Sequence, residues 1–383
     1  MRLLIAGGGT GGHIYPALAV ARSLRERPDA PELAWIGGHR GLEASLVRAA
    51  GIPFRRLVAR SLRTVERDVH LVLDPVRLVA SVPQALAMLA RPRPAAIFTT
   101  GGYVTIPVLM AAATLRIPVL LWDGNVVPGR SVRATARLAA ALAVSFPETC
   151  TALAGTGRRC YVTGTPIRDT HGVDREAARE LLGIPPGARL MLIFGGSQAV
   201  RRFNQAVTAA LPQLVERVHV LHVAGEAGYA PALAAREALP AESRERYQPH
   251  PFLRDEMVTA LAAADIVIGR AGSSTLAEVA AFGLPMIVVP YPHAAGHQRA
   301  NARALVDAGA ARLVEDDDFG TETLLEAAAL LDDPEAHLRM AAAARALGRP
   351  GAADATADLF LALAGRRELP EPARIERRSK GGG

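Results

Sequence analysis

Two short stretches of the chain combine glycines with side chains that can bind phosphate or move a proton. The first, "LLIAGGGTGGHIYP", places three spaced glycines after an apolar run and puts His13 directly behind them. The second, "GRAGSSTLAEV", sets a polar glycine turn ahead of a helical pattern that carries Glu278. Glycine lets backbone amides approach an oxyanion closely, and a helix start adds partial positive charge. Both stretches therefore predict phosphate binding.

The first stretch also matches G-x-G-x-x-G, the fingerprint of dinucleotide coenzymes, through Gly7, Gly9 and Gly12. That site needs an acidic residue at the end of the second strand, where it binds the ribose. Here the second strand, "ELAWIGG", ends in two glycines, and Glu32 lies at its other end. A dehydrogenase is therefore not favoured. We expect His13 to take part in the site; the alternative is a histidine that only caps its own helix.

The second stretch predicts a binding turn for a nucleoside diphosphate. Its backbone amides and hydroxyls suit a diphosphate, and the guanidinium of Arg270 would add positive charge. Glu278 could accept hydrogen bonds from two ribose hydroxyls; the alternative is a glutamate placed favourably near a helix N-terminus. The residues of this turn are Gly272, Ser273, Ser274 and Thr275. The only aspartate run, 316–318, is predicted to be a solvated loop, so we expect neither a metal nor a cofactor.

Short apolar strands alternate with alanine-rich helical stretches along the chain, which predicts parallel sheets covered on both faces. The first series of strands is expected at residues 2–6, 33–36, 55–59, 96–99, 118–122 and 141–145. A second series begins near "ARLMLIFGGS" and continues through "VHVLHVAG", "ADIVIG", "PMIVVP" and "AARLVE". The fold class predicted is α/β, with two Rossmann-like, doubly wound parallel-sheet domains that face one another across a cleft. Ligands of such sheets bind beyond the carboxyl ends of the strands.

The domain boundaries follow from these two series. Residues 1–165 are expected to form the first domain, completed by a C-terminal helix near 351–365. Residues 166–350 are expected to form the second domain. The polar, proline-bearing segment 366–383 is predicted to be a disordered tail.

Composition limits the class of protein. Of the 383 residues, 50% are hydrophobic and 21% are charged, which is typical of a soluble globular chain. The formal net charge of +7, nearly all from arginine, predicts an anionic partner: nucleotide phosphates, nucleic acid or an anionic membrane surface. Arginine suits bidentate phosphate contacts, although a GC-rich coding sequence would enrich arginine as well. No aromatic platform or reading helix supports nucleic acid, which we do not expect as a partner.

Three further features concern the surroundings of the protein. Cys150 and Cys160 are expected to be free thiols in a reducing cytosol. The chain begins directly with a strand and a glycine turn, without a signal-peptide pattern. The longest apolar region, residues 106–122, is interrupted by Pro107, Arg116 and Pro118, so we expect no membrane span.

Five segments together resemble the MurG family of GT-B glycosyltransferases, and they do so in order over nearly the whole chain up to about residue 345. They are "GGGTGGHIYPALAVA", "TTGGYVTIPVLMAA", "VTGTPIR", "FGGSQAVRRFNQAV" and "RAGSSTLAEVAAFGLPMIVVPYP…HQRANA". The resemblance implies an inverting transfer of N-acetylglucosamine from UDP-N-acetylglucosamine to the muramyl 4-hydroxyl of lipid I. The product would be lipid II, a peptidoglycan precursor.

The resemblance also implies roles for individual residues. Thr10, Gly11 and Gly12 would belong to the glycine loop around the donor. Asn125 would contact the donor sugar and Gln298 its hydroxyls, Arg168 and Ser197 would contact the nucleotide, and Leu253 would lie against the uracil. Ser273, Ser274, Thr275, Leu276 and Glu278 would hold the diphosphate and ribose, together with Arg270 and Gly272, which the turn itself predicts. His13 is the candidate for the base at the acceptor hydroxyl. The family usually reads H-E-Q-N where this chain has Trp122, Asp123, Gly124 and Asn125. The shorter Asp123 is therefore the second candidate for the base.

A lipid acceptor would bring the enzyme to the cytoplasmic face of the cell membrane as a peripheral protein. The segment from Val69 to Ala90 is amphipathic and has arginines at 63, 67, 77, 91 and 93, which fits docking on an anionic membrane. Packing of an ordinary helix on the first sheet would give the same pattern. Two other functions stay open: a GT-B transferase for another acceptor, and a sugar-nucleotide-binding protein without turnover.

Overall fold

The computed structural model describes residues 1–9, 11–38, 43–58, 70–170, 172–195, 201–292 and 296–382, with only the backbone for 70–76. The chain divides into two compact units. The first comprises Met1–Asp169 and Arg349–Gly383, and the second comprises Thr170–Gly348. No helix among the described residues is long and apolar enough to cross a membrane.

The first unit is built on a parallel sheet of seven strands in the order β3-β2-β1-β4-β5-β6-β7. The strands are β1 (Arg2–Ala6), β2 (Glu32–Gly37), β3 (Phe54–Arg56), β4 (Ala96–Thr99), β5 (Val119–Asp123), β6 (Ala141–Val144) and β7 (Cys160–Val162). The helices are α1 (Gly11–Arg25), α2 (Glu43–Ala49), α3 (His70–Ala90), α4 (Thr105–Thr114), α5 (Arg130–Thr135), α6 (Pro147–Leu153), α15 (Ala352–Ala364) and α16 (Pro372–Ser379). The carboxyl ends of β1, β4 and β5 therefore meet at one edge.

Apolar runs explain why these strands are central. Leu3, Ile5, Phe98 and Leu120 are completely buried, as expected for strands covered on both faces. Helix α15 returns to this unit and packs on β4, where the ring of Phe360 lies 5.8 Å from that of Phe98. The chain thus completes the first core only after it has built the second unit.

The second unit has a parallel sheet of six strands in the order β10-β9-β8-β11-β12-β13. The strands are β8 (Leu190–Phe194), β9 (His219–Val223), β10 (Tyr247–His250), β11 (Ile266–Gly269), β12 (Met286–Val288) and β13 (Ala311–Leu313). The helices are α7 (Arg175–Leu181), α8 (Arg201–Arg217), α9 (Glu226–Glu237), α10 (Glu256–Ala263), α11 (Ser273–Phe282), α12 (His297–Asp307), α13 (Thr321–Leu330) and α14 (Pro334–Leu347). Two parallel α/β sheets confirm the predicted fold class.

The predicted disordered tail is wrong. Helix α16 occupies its centre and packs on α15 and β7, with Ile375 only 2% exposed. Arg349 donates to Glu376 at 2.9 Å and to the Ser379 hydroxyl at 2.8 Å, and the Tyr161 hydroxyl donates to the Pro370 carbonyl at 3.1 Å. These polar contacts hold a helix whose composition is too charged to predict packing.

The prediction of free thiols is also wrong, because Cys150 and Cys160 form a disulfide between α6 and β7. Strands β7 and β10 were missed as well. Each lies at the edge of its sheet, and "CYV" and "YQPH" lack a sustained apolar run. Edge strands need less apolar sequence because one side is not covered by another strand.

Candidate functional site

The glycine turn after β1 is fixed by the neighbouring strands. The Gly7 amide donates to the Ile36 carbonyl at 3.1 Å, and the Trp35 indole donates to the Gly7 carbonyl at 2.9 Å. A Cβ at Gly7 would lie 2.9 Å from the Thr100 hydroxyl, which is too close for any larger residue. Glycine at this position therefore brings the turn against the loop that follows β4.

His13, in the first turn of α1, is oriented by that loop. Its Nδ1 lies 2.6 Å from the Thr100 carbonyl oxygen, and the Thr100 hydroxyl donates to the His13 carbonyl at 2.8 Å. A carbonyl can only accept, so Nδ1 carries the hydrogen and Nε2 is the basic nitrogen. The side chain bonds a residue 87 positions away and not its own helix, which does not support the capping alternative.

Burial lowers the pKa of His13 below 6.5, while the Thr100 carbonyl and the charge of Asp123 act in the opposite direction. The imidazole is therefore neutral at pH 7, the state that a general base requires. Gly101 and Gly102, both with positive φ, cover the ring: Cβ atoms added there would lie 3.6 Å from it.

Asp123, the second candidate for the base, is engaged by its own loop. Oδ1 accepts from the Asn125 amide at 2.9 Å and from the Asn125 side chain at 3.2 Å, and Oδ2 accepts from the Gly129 amide at 2.8 Å. The side chain is 4% exposed. Both carboxylate oxygens accept hydrogen bonds from the loop that Asp123 itself begins, so this geometry favours a positioning role for Asp123 and leaves His13 as the base candidate.

The loop that Asp123 holds carries Asn125, which the resemblance assigns to the donor sugar. On the other side of this loop, the Thr149 hydroxyl donates to the Asn125 carbonyl at 2.7 Å. Thr149 lies in α6, next to the disulfide-bonded Cys150. The backbone at Asn125 is thus held from both sides before any ligand is present.

Two residues of this edge were missed by the sequence analysis. Glu43, at the start of α2, is completely buried; one oxygen accepts from the Gly38 amide at 3.1 Å and lies 3.5 Å from the Tyr103 hydroxyl. Its other oxygen, Oε2, has no hydrogen-bond partner among the residues that the structure describes. Burial first, and then Glu43, raise the pKa of Tyr103. An acidic residue just after a glycine-bearing loop was the only signal in the sequence.

In the second unit, α11 begins with donors that the described residues do not cap. Its N-cap, Gly272, is extended and offers no side-chain hydrogen bond, and the following Ser273, Ser274 and Thr275 are partly exposed. The Ser274 hydroxyl is buried and has no hydrogen-bond partner in the described part of the chain. Buried hydroxyls normally form hydrogen bonds. A hydroxyl that is still available as a donor at a helix N-terminus is therefore typical of an anion-binding site. Glu278 is partly exposed one turn further along the helix.

The apolar members of the predicted donor set lie in the core. Leu276 is 1% exposed and Leu253 is 6% exposed, and both pack in the hydrophobic core of the second unit. Leu276 can offer a ligand only its backbone, and contact of the Leu253 side chain with a uracil would need a change in packing. The neighbouring Phe252, by contrast, is 52% exposed. Gln298 accepts from the Tyr291 amide at 2.8 Å, which fixes its side-chain oxygen.

The sequence predicts that the Arg270 guanidinium adds positive charge to the diphosphate turn, but its contacts in the structure are with other groups. Its guanidinium is buried, forms an ion pair with Asp316 and lies 5.4 Å from the ring centre of Phe203. The run 316–318 is therefore not simply solvated, although Asp317 is exposed and pairs with Arg202. A role of Arg270 toward a diphosphate stays a prediction.

The remaining predicted residues lie in the first unit or outside the described residues. Arg168 lies over the Tyr15 ring, 5.8 Å from its centre. Gly11 and Gly12 open α1 beside His13. Thr10 and Ser197 are among the positions that the structure does not describe. Within the described ranges, no group of three or more His, Cys, Asp or Glu side chains is arranged to hold a metal ion.

Comparison with known proteins places these features in a family. Residues 3–144 match the glycosyltransferase family 28 N-terminal domain, and residues 190–357 match the glycosyltransferase family 28 C-terminal domain. The chain is similar to the UDP-N-acetylglucosamine–N-acetylmuramyl-(pentapeptide) pyrophosphoryl-undecaprenol N-acetylglucosamine transferase of Desulforudis audaxviator. The two are 40% identical, over 96% of this chain and 99% of that protein.

The transferase of the same name from Moorella thermoacetica is 39% identical, over 94% of this chain and 98% of its own length. Among solved structures, Acinetobacter baumannii MurG matches with a TM-score of 0.75 and 28% identity, over 94% of this chain and 99% of that chain. The chain therefore belongs to glycosyltransferase family 28, and within it to the MurG family of N-acetylglucosamine transferases.

Proposed function

We propose that this protein transfers N-acetylglucosamine from UDP-N-acetylglucosamine to the muramyl 4-hydroxyl of lipid I and so forms lipid II. The relatives that carry this activity in their names are similar over nearly the whole chain. The observation that carries the chemistry is the His13–Thr100 pair, which leaves a neutral imidazole with a basic Nε2 beside the glycine turn.

In the proposed reaction, the acceptor oxygen attacks C1 of the sugar while UDP leaves from the opposite face, with inversion. His13 Nε2 takes the proton of the acceptor hydroxyl, and Nδ1–H keeps its bond to the Thr100 carbonyl. That bond becomes charge-assisted when the ring is protonated, which stabilises the imidazolium in the transition state. The 4-hydroxyl becomes the oxygen of a β-1,4 linkage.

The leaving diphosphate gains negative charge, and we assign its binding to the start of α11. The amides of Ser273 to Thr275 are donors suited to phosphate oxygens, as is the Ser274 hydroxyl, to which no described residue bonds. Glu278 would accept from the ribose hydroxyls. The donors are in place before the ligand binds, so little reorganisation opposes the reaction.

For the lipid acceptor, we propose peripheral binding to an anionic membrane surface on the cytoplasmic side. The part of α3 whose side chains are described, residues 77–90, packs on the first unit through Ser81, Ala85 and Leu89, which supports the helix-packing alternative for that face. On its outer side Val79 is 72% exposed, and Met110 on α4 is 46% exposed. The exposed Arg91 and Arg93 follow the end of α3, and apolar side chains combined with arginines on a surface are typical of membrane binding.

The function is tested by measuring release of UDP from UDP-N-acetylglucosamine with a lipid I analogue, a diacylglycerol and a sterol as acceptors. Of these three acceptors, we expect only the lipid I analogue to support turnover. Turnover with another acceptor would assign the chain to a different glycosyltransferase reaction, and donor binding without any turnover would indicate a sugar-nucleotide-binding protein. Repeating the assay with EDTA should leave most activity, because the donors proposed for the diphosphate are protein groups.

A further inference from the structure

A cavity of about 370 Å³ lies at the opposite edge of the first sheet, where β1, β4 and β5 begin. Four arginines line it: Arg2, Arg93, Arg116 and Arg366. None of the described residues that line it is acidic. Its strands run about 15 Å to the edge that holds His13, so this cavity is separate from the proposed active site.

Two of these arginines occupy backbone positions that normally take glycine. Arg116 follows α4 with φ 52°, and Arg366 follows α15 with φ 49°. Both are the left-handed residue of the same helix ending. The Arg116 and Ile117 amides donate to the Ala113 and Ala112 carbonyls, and Arg366 and Arg367 repeat this pattern on Leu363 and Ala362. A side chain at such a position costs conformational free energy relative to glycine.

The rest of the chain shows what that position ordinarily holds. Elsewhere in the described chain, five other helices end with the same pair of backbone hydrogen bonds. Each has glycine at the left-handed residue: Gly51, Gly183, Gly283, Gly309 and Gly381. Among the described residues, arginine replaces glycine at two such endings, and both arginines line the same cavity. A general enrichment of arginine does not explain why both exceptions meet there.

The charges in the cavity are only partly compensated. Arg2 lies 3.5 Å from Glu32, whose side chain is 65% exposed, and Arg93 donates to the Leu115 carbonyl. A surface ion pair of this kind contributes little. The guanidinium groups around the cavity repel one another. An anion with several oxygens would reduce this electrostatic repulsion and accept bidentate hydrogen bonds from them.

We propose that this cavity, lined by Arg2, Arg93, Arg116 and Arg366, is a binding site for a phosphate-bearing anion, separate from the site of sugar transfer. Its volume is that of a small-molecule site. The anion is either a soluble phosphate compound or the phosphate of a lipid headgroup, because both offer the same chemistry to guanidinium groups. The inference does not depend on the proposed transfer reaction.

The test is calorimetric titration of inorganic pyrophosphate into the full chain in the presence of saturating UDP, which competes for other phosphate-binding positions. We expect Arg116→Gly and Arg366→Gly each to weaken binding about tenfold. Without pyrophosphate, both variants should melt at a higher temperature than the wild type, because glycine relieves the left-handed backbone. Arg303→Ala, which removes an exposed arginine of α12, should change neither quantity.

If the arginines bind the anion, the variants lose pyrophosphate affinity but gain melting temperature. If the arginines only stabilised the fold, the melting temperature would fall. Unchanged pyrophosphate affinity in the Arg116→Gly/Arg366→Gly double variant would overturn the proposal, as would absence of binding to the wild type. Arg116→Asn tests the same loss with a residue that tolerates the left-handed region. Flotation with phosphatidylglycerol vesicles identifies the source: binding that the double variant loses and pyrophosphate competes for indicates a lipid phosphate, and unchanged flotation indicates a soluble anion.

Discussion

The two glycine-bearing turns, one in each unit, begin helices at the carboxyl ends of strands but differ in what their polar groups already bind. At the first turn, His13 and Thr100 satisfy one another, and Asp123 and Thr149 hold the neighbouring loop. At the second, within the ranges that the structure describes, α11 starts without a side-chain cap and the Ser274 hydroxyl has no hydrogen-bond partner. The first turn therefore fixes the orientation of His13 and its basic Nε2. The second turn has hydrogen-bond donors that are available to a ligand.

The largest effect is expected from a substitution at the first turn. His13→Ala should lower kcat about 100- to 10,000-fold, because it removes the proposed base, while the Kd for UDP-N-acetylglucosamine changes less than about twofold. Steady-state kinetics and calorimetry measure the two quantities. Thr100→Val is the matched control: it removes the hydroxyl but keeps the carbonyl that orients the ring, so kcat should fall less than about tenfold. A donor affinity that falls as much as kcat in His13→Ala would contradict the division between the turns.

The next effect belongs to the second turn. Glu278→Gln should raise the KM for UDP-N-acetylglucosamine about 10- to 100-fold with little change in kcat, because a charged acceptor for the ribose hydroxyls becomes neutral. Glu322, in the first turn of α13, offers a control in which Glu322→Gln leaves KM unchanged. An unchanged KM in Glu278→Gln would remove Glu278 from the donor site.

A smaller effect is expected at Ser274, which tests whether the second turn serves the ligand or the fold. Ser274→Ala deletes a buried hydroxyl that bonds none of the described residues, so the free energy of unfolding should stay the same or rise. Donor affinity should nevertheless fall about tenfold, because the hydroxyl would bond the diphosphate. Denaturant unfolding and UDP titration check the two parts. A loss of stability with unchanged UDP affinity would show that Ser274 serves the fold.

The smallest effect concerns pH. Because burial lowers the pKa of His13, the acid limb of kcat/KM should have its midpoint below 6.5. Asp123 raises this pKa, so Asp123→Asn should move the midpoint to lower pH, and kcat should fall about fivefold as the loop loses its bond to the Gly129 amide. A midpoint that moves to higher pH would refute the influence of Asp123 on His13.

The fold class was predictable because buried parallel strands are nearly continuous apolar runs, as in "LMLIF" and "IVIG". The edge strands β7 and β10 were not predictable, because β7 has only three residues and β10 mixes polar and apolar ones. Helix α16 was missed because one buried face, Ile375 and Ser379, is hidden among charges whose partners lie far away in sequence.

The candidate site was predictable only in part. Glycines and hydroxyls at helix starts indicate phosphate binding from sequence alone, and His13 stood out by its place behind the turn. Its tautomer depends on the Thr100 carbonyl, 87 residues away, which no local pattern reveals. Asp123 was interpreted as a base because the resemblance aligns it with a family glutamate; its three hydrogen bonds to the loop appear only in the folded chain.

The most direct measurement is a crystal structure of the protein with UDP bound. The diphosphate is expected within hydrogen-bond distance of the backbone amides of Ser273 to Thr275 and of the Ser274 hydroxyl, with the ribose hydroxyls on Glu278. A diphosphate on the turn at Gly7 to Gly9 beside His13, with the start of α11 empty, would contradict the account.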